Sequence, residues 1–228
     1  MTTPIDQLTQ LCPPPANPPA VDWRAVQDTL GFALPDDYKQ LATAYGPGSF
    51  CDFLSLRHPL GATDWINLTG PMTAAVQQQL ERDRQRERFV PHPARDLFPI
   101  AVSDNGEYVF WHTNPANTPD AWTLTVNEAR GPQWFTFDGS LTAFLVAVLS
   151  GQLHVPLFPD SLLSEGATFT PSPPVGPGES PTRVTAPASG AMDSNTIRAW
   201  ARDHGYDVPE RGRIPAAIIT AWREANGA

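Results

Sequence analysis

The run Gly31-Phe32-Ala33-Leu34-Pro35-Asp36-Asp37-Tyr38-Lys39, with Tyr45-Gly46-Pro47-Gly48 close behind it, decides how the first half of this chain folds. Upstream of it, Asp22 caps a helix that carries Trp23, Val26 and Leu30 on one face, and Gly31 stops that helix. Phe32-Ala33-Leu34 reads as a short extended link. Pro35-Asp36-Asp37 then opens a second helix, with a proline in the first turn and acids near the positive end of the dipole. Tyr38, Leu41, Ala42 and Tyr45 fall at helical spacing and form its buried stripe, and Gly46-Pro47-Gly48 ends it.

Downstream the period changes toward two. Phe50 to Leu56 alternates apolar residues, with Asp52 as an interruption, and Trp65 to Leu68 reads as a second short strand. Pro71 to Arg88 is an amphipathic helix with Met72, Val76 and Leu80 inward. Its end, Glu81 to Arg88, alternates in sign, as a solvated and self-paired face does. Leu97 to Val102 and Glu107 to Trp111 flank Ser103-Asp104-Asn105-Gly106, where Asn-Gly tolerates the positive φ of a tight hairpin. Ala121 to Val126 and Gln133 to Phe137 pair across Gly131-Pro132. Ser140 caps an apolar helix, Leu141 to Leu149, ended by Gly151. This order of elements predicts an α+β domain built on a mainly antiparallel sheet.

The Gly31 to Lys39 and Tyr45 to Gly48 residues, supported by Asp138-Gly139-Ser140-Leu141 ahead of Phe144-Leu145, resemble the SUKH superfamily. That is the fold of many bacterial immunity proteins and of a fungal cell-wall regulator. The resemblance covers about Asp22 to Leu153, so residues 21–156 are expected to form a SUKH-like domain. It implies a protein partner, such as a toxin, but no particular binding residues, because partner surfaces vary within the superfamily. Pro47 stands where many relatives carry a second Gly or Asn-Gly.

Proline sets the flanks. Residues 1–20 hold a short helix around Ile5 to Leu11 and then Pro13-Pro14-Pro15 and Pro18-Pro19, which reads as an extended lead-in. Residues 157–190 carry Pro171, Pro173, Pro174, Pro177, Pro181 and Pro187 among Ser, Thr and Gly, with almost no aromatics after Phe169. Such a composition predicts a disordered linker. The 26 prolines and 16 glycines of this 228-residue chain therefore cluster at its joints, while a hydrophobic content of 41% is that of a globular protein.

Residues 191–228 read as a small module of two helices. Ser194 caps the first, Ile197, Trp200 and Ala201 share a face, and Gly205 sits at the left-handed C-cap. Pro215 suits the first turn of the second helix, Ile218, Ile219 and Trp222 follow, and Gly227 closes it. Tyr206, Val208 and Ile214 lie between the helices and bridge their apolar faces, so the loop Glu210-Arg211-Gly212-Arg213-Ile214-Pro215 is pinned at both ends. An Arg-Gly-Arg held this way suits a narrow groove. The glycine lets the backbone approach the floor, and the negative potential of an A-tract minor groove attracts the flanking guanidiniums. That groove separates A·T from G·C and little more.

Ile197-Arg198-Ala199-Trp200-Ala201-Arg202, Gly205-Tyr206 and Arg211-Gly212-Arg213-Ile214-Pro215 together resemble the C-terminal DNA-binding domain of the actinobacterial Lsr family, which are H-NS-analogous nucleoid silencers. The resemblance runs from Ser194 to about Ala225. It implies AT-hook-like minor-groove insertion by Arg211, Gly212 and Arg213, with Arg198 and, by extension, Arg202 on phosphates.

Net charge is −9, the wrong sign for a protein that coats DNA by charge alone. The excess lies upstream, because from Asp193 onward five arginines balance five acids, and Lys39 is the one lysine. Cys12 and Cys51 are too few for a disulfide framework. No basic-then-apolar leader follows Met1, and the longest apolar run falls far short of the ~20 residues a membrane helix needs. A soluble, cytoplasmic protein associated with the nucleoid is expected. His58, His92, His112, His154 and His204 show no metal-site spacing, so neither metal nor cofactor is expected. There is no nucleophile elbow or phosphate loop. Asp104 and Asn105 read as turn residues, Asp193, Asp203 and Asp207 beside His204 as surface polar groups, and Trp65, Trp111, Trp122 and Trp134 as core. The chain is not expected to be an enzyme. Three readings follow: an AT-rich DNA binder with a SUKH-like partner domain, its self-association left open; an immunity protein whose tail only keeps it near DNA; or a regulator that recruits a partner to horizontally acquired AT-rich DNA and needs both modules.

Overall fold

The computed structural model describes residues 2–176, 180–182, 194–206, 208, 218, 221, 222 and 225. It divides into two units, Met1–Arg183 and Val184–Ala228. In the first unit the local rules hold at both ends of the helix over residues 23–30, whereas Pro35 stands at the N-cap of the next helix and not in its first turn. Asp22 accepts from the Ala25 amide at 3.1 Å, and Gly31 closes α2 (Trp23–Leu30) at φ +79°. α3 (Asp36–Tyr45) buries Tyr38, Leu41, Ala42 and Tyr45.

Seven strands form one sheet in the order β6-β5-β4-β3-β2-β1-β7, every neighbour antiparallel. They are β1 (Gly48–Phe50), β2 (Leu54–Leu56), β3 (Leu97–Ser103), β4 (Tyr108–His112), β5 (Thr123–Asn127), β6 (Trp134–Phe137) and β7 (Phe169–Pro171). The alternation of β4 shows how the sheet is covered. Val109 and Trp111 join the main core with Tyr38, Leu41, Phe144 and Leu145, from α3 and α5 (Leu141–Leu149). Phe110 turns to the other face, where Val76 and Leu80 of α4 (Met72–Gln85) meet it with Leu97. Both faces are therefore buried, which explains the nearly continuous apolar run Tyr108-Val109-Phe110-Trp111.

Several expectations are corrected. Residues 50–56 are not one strand but a hairpin, since Cys51 (φ 52°) and Asp52 (φ 46°) turn in the left-handed region between β1 and β2. In the β3–β4 turn Gly106 takes the positive φ (+96°) and Asn105 does not. Trp65 to Leu68 is a loop rather than a strand, and Trp65 is at the surface instead of in the core. Asn67 organises that loop: its Nδ2 donates to the Pro59 and Gly61 carbonyls, and its Oδ1 accepts from the Thr69 amide and hydroxyl. α4 stops at Gln85, three residues short of Arg88, with Glu87 at φ +59°.

The proline-rich flanks are the largest departures. The lead-in is part of the core: α1 (Pro4–Leu11) packs on α5, Leu8 and Cys12 are fully buried, and the Tyr45 hydroxyl donates to the Cys12 carbonyl at 2.5 Å. Burial pushes the Cys12 thiol up to about 11, with Cys51 nearby adding to the effect. The first part of the stretch expected to be a disordered linker also folds onto the sheet. β7 pairs with β1, and Phe169 meets Tyr45 and Phe50 with ring centroids 4.9 Å apart. Beyond it the Ser172 amide donates to Pro47 O and the Val175 amide to Leu60 O, both within 2.9 Å.

Two buried polar residues hold the crossing from β2 to α4. Arg57 is fully buried; it donates from Nη1 to Thr73 Oγ1 (2.7 Å) and Pro99 O (2.9 Å), and from Nη2 to Asn67 O (2.6 Å). No carboxylate pairs with it among the described residues, and burial lowers its pKa to about 10. His58 accepts the Leu60 amide at Nδ1 (3.0 Å), which leaves Nε2 to donate to Ala42 O (3.3 Å) as a neutral ring. Burial holds its pKa down at about 4.

Candidate DNA-binding module

The second unit is built around α6 (Ser194–Asp203). Ser194 is already inside the helix rather than before it, and the position that would cap it lies outside the described residues. At the other end the geometry is complete. Gly205 takes φ +77°, the Gly205 amide donates to Arg202 O (3.0 Å) and the Tyr206 amide to Ala201 O (2.9 Å). These are the two bonds of a Schellman ending. Among the described residues a Cβ at Gly205 would meet nothing within 4 Å, and its left-handed backbone is what favours glycine there.

That ending folds the chain back so that Tyr206 stacks on Trp200 (5.7 Å, 22°), while His204, one turn along the helix, stacks on the same indole (4.4 Å, 23°). The His204 ring is tied to the helix at 2.8 Å between Nδ1 and Trp200 O. Tyr206 is exposed, so it completes a surface stack and does not bridge the helices as the sequence suggests. The Trp200–His204 half of the stack was available from their four-residue spacing. The bridging is done by Val208, which is buried with Ile197, Ala201 and Ile218, while Trp200 and Trp222 pack at the side. Ile218, Ala221, Trp222 and Ala225 have helical backbone, in keeping with the second helix.

Arg198 and Arg202 stand one turn apart on α6, Arg198 half-buried and Arg202 exposed. Arg211, Gly212, Arg213 and Ile214 lie outside the described residues. Residues 184–228 hold five arginines and five acids, so the whole net charge of −9 belongs to residues 1–183, with ten basic and nineteen acidic side chains. Among the described residues no helix is long and apolar enough to cross a membrane, and no group of three or more His, Cys, Asp or Glu could hold a metal ion.

Comparison with known proteins finds two separate families. Residues 18–146 match the SMI1 / KNR4 family (SUKH-1), and residues 189–225 match the Lsr2 DNA-binding domain. No curated protein matches the chain, and no solved structure does. The first match spans more than half of the chain, and the second contains α6, its Schellman ending and the sequence Arg211-Gly212-Arg213: the protein belongs to the SMI1 / KNR4 family (SUKH-1) and carries an Lsr2 DNA-binding domain behind that family's domain.

Proposed function

We propose that the protein works by binding, at the nucleoid, and catalyses no reaction. Its C-terminal module inserts Arg211, Gly212 and Arg213 into the minor groove of AT-rich DNA, and its SUKH domain holds a protein partner. The observation that carries this reading is the Lsr2 DNA-binding match over residues 189–225, whose flanking helical segments share a small core of their own. A binding role also accords with the use of the buried polar side chains of the first unit, since Arg57, His58 and Asn67 are engaged in holding loops.

Magnitudes set how such a protein acts. One Arg-Gly-Arg touches few phosphates, non-specific binding of this kind runs at about 10⁻⁴ to 10⁻⁶ M at physiological salt, and the acidic first unit adds repulsion. Occupancy of a locus then depends on several copies held together, where avidity adds about 10² to 10⁴. Fluorescence anisotropy with AT-rich and GC-rich duplexes across a salt series tests the reading. The wild type should prefer AT-rich duplex, and Arg211→Ala/Arg213→Ala should lose that preference. Equal binding of both duplexes by the wild type, or no binding, refutes it.

The acidity of residues 1–183 favours a second reading, in which the SUKH domain neutralises a basic toxin, such as a nuclease, and the tail is a tether. A tight toxin complex that survives loss of residues 190–228 would put this reading first.

A further inference from the structure

A cleft of about 390 Å³ opens on the first unit between the α2–α3 link and the start of α4. Its volume lies in the range of small-molecule sites, and its two ends differ in character. At one end Phe32, Phe98 and Trp122 meet edge to face, Phe32 lying 5.3 Å from Phe98 and 5.9 Å from Trp122. At the other end the wall is Thr73, Gln77 and Arg95, and among the described residues no carboxylate lines the cleft.

Three independent features make that polar end electropositive. α4 is a 14-residue helix whose N-cap is Pro71, which offers no side-chain acceptor, so among the described residues the Met72, Thr73 and Ala74 amides have no partners, and Thr73 and Ala74 line the cleft. Directly behind Thr73 lies the fully buried Arg57, whose charge meets no carboxylate among the described residues and whose Nε has no acceptor. A buried cation without an anion is costly, and Arg57 is joined to the cleft wall through the Thr73 hydroxyl it holds. Arg57 is donor only, so Thr73 Oγ1 must accept from it, and the hydroxyl keeps its own proton to donate. Arg95 supplies an exposed guanidinium on the rim, tied only loosely to Asp96 at 3.7 Å. Gln77 donates through Nε2 to the Arg95 and Leu97 carbonyls, which leaves its Oε1 as an acceptor.

We propose that this cleft is a small-molecule site for a flat-ringed anion, its phosphate or carboxylate taken at the start of α4 by the Thr73 and Ala74 amides, the Thr73 hydroxyl and Arg95, and its ring laid against Phe32, Phe98 and Trp122. The SUKH domain is then a sensor of a small metabolite as well as a partner-binding domain. The site needs neither the DNA module nor the protein partner to exist.

Calorimetric titration of the full chain tests it with four probes: adenosine 5′-monophosphate, adenosine, inorganic phosphate and phenylacetate. Amide NMR spectra of the same samples report where they sit. The expected result is saturable binding of the monophosphate, of phenylacetate or of both, with the Thr73 and Ala74 amides shifted. Which probe binds identifies the anion as phosphate or carboxylate. Adenosine, lacking the charge, should bind at least about tenfold more weakly than the monophosphate. Arg95→Ala and Thr73→Val should each weaken binding about five- to tenfold; the exposed Arg95 makes the first a variant that folds. Arg211→Ala/Arg213→Ala should leave binding unchanged, which separates this site from any nucleotide held by the DNA module. The proposal is overturned if no anionic probe saturates below about 10 mM. It is equally overturned if binding proceeds with the Thr73 and Ala74 amides unmoved, or if Arg95→Ala binds as the wild type does.

Discussion

His58 is the residue whose chemistry reaches furthest into stability. Its ring is neutral in the fold and its pKa is held at about 4 by burial, against about 6.5 for an unfolded histidine. Between these values the unfolded chain binds a proton that the folded chain refuses, so stability falls as pH drops from 6.5 toward 4, by roughly 3 kcal/mol across the window. Urea unfolding at a series of pH values should show that slope, and His58→Gln should flatten it; an unchanged slope would refute the assignment. Gly31 offers a complementary case. Its φ of +79° with open space around the missing Cβ leaves only backbone conformation at stake, so Gly31→Ala should cost about 1 kcal/mol in the same assay, with no change in the denaturant slope.

Among the elements, β7 carries the sharpest prediction. A fragment ending at residue 156 lacks Phe158 and Phe169, both packed on the main core, and leaves one side of β1 unpaired. It should melt well below the full chain or fail to fold, whereas a fragment ending at residue 183 should melt with it by circular dichroism. Gly48→Ala should act like a partial truncation, because its Cβ would fall 2.4 Å from Phe169 Cζ and 2.5 Å from Thr170 O. The same elements show what was readable in advance. α2, α3, α5 and the β3–β4 hairpin announce themselves through local chemistry at their ends, an Asp or Ser cap, a glycine stop, an Asn-Gly turn. β1 and β2 hide because their turn rests on Cys51 and Asp52, residues with no special liking for positive φ. β7 hides because a composition averaged over many prolines outvotes one phenylalanine whose ring partners lie 119 and 124 residues away. In the DNA module the apolar spacing and the glycine ending were legible, whereas the Tyr206 stack depends on a chain reversal that spacing alone does not reveal. The cleft was invisible in the sequence, since its walls come from four separate stretches.

At the scale of the molecule, two cores of very different size share one chain. The first is built from α1 to α5 and seven strands; the second contains Ile197, Ala201, Val208 and Ile218 with two tryptophans beside them. A unit of about 45 residues sits near the size at which a single core barely sustains folding. Calorimetry of the full chain should therefore show two transitions, and AT-rich duplex should raise only the smaller one. A single transition that shifts as a whole on adding DNA would refute independent folding.

The prolines around β7 have a bearing on crowding. A sheet's outermost strand presents unpaired amides and carbonyls that invite another chain to add on, and molecules gathered along one DNA are concentrated enough to try. Here that strand is three residues long and ends in Pro171; after Ser172, whose amide is taken by Pro47 O, come Pro173 and Pro174, and none of the three prolines has an amide to offer an incoming strand. On this border the sheet is closed to growth, so copies brought together on DNA would meet through surfaces shaped for recognition and not through runaway strand addition.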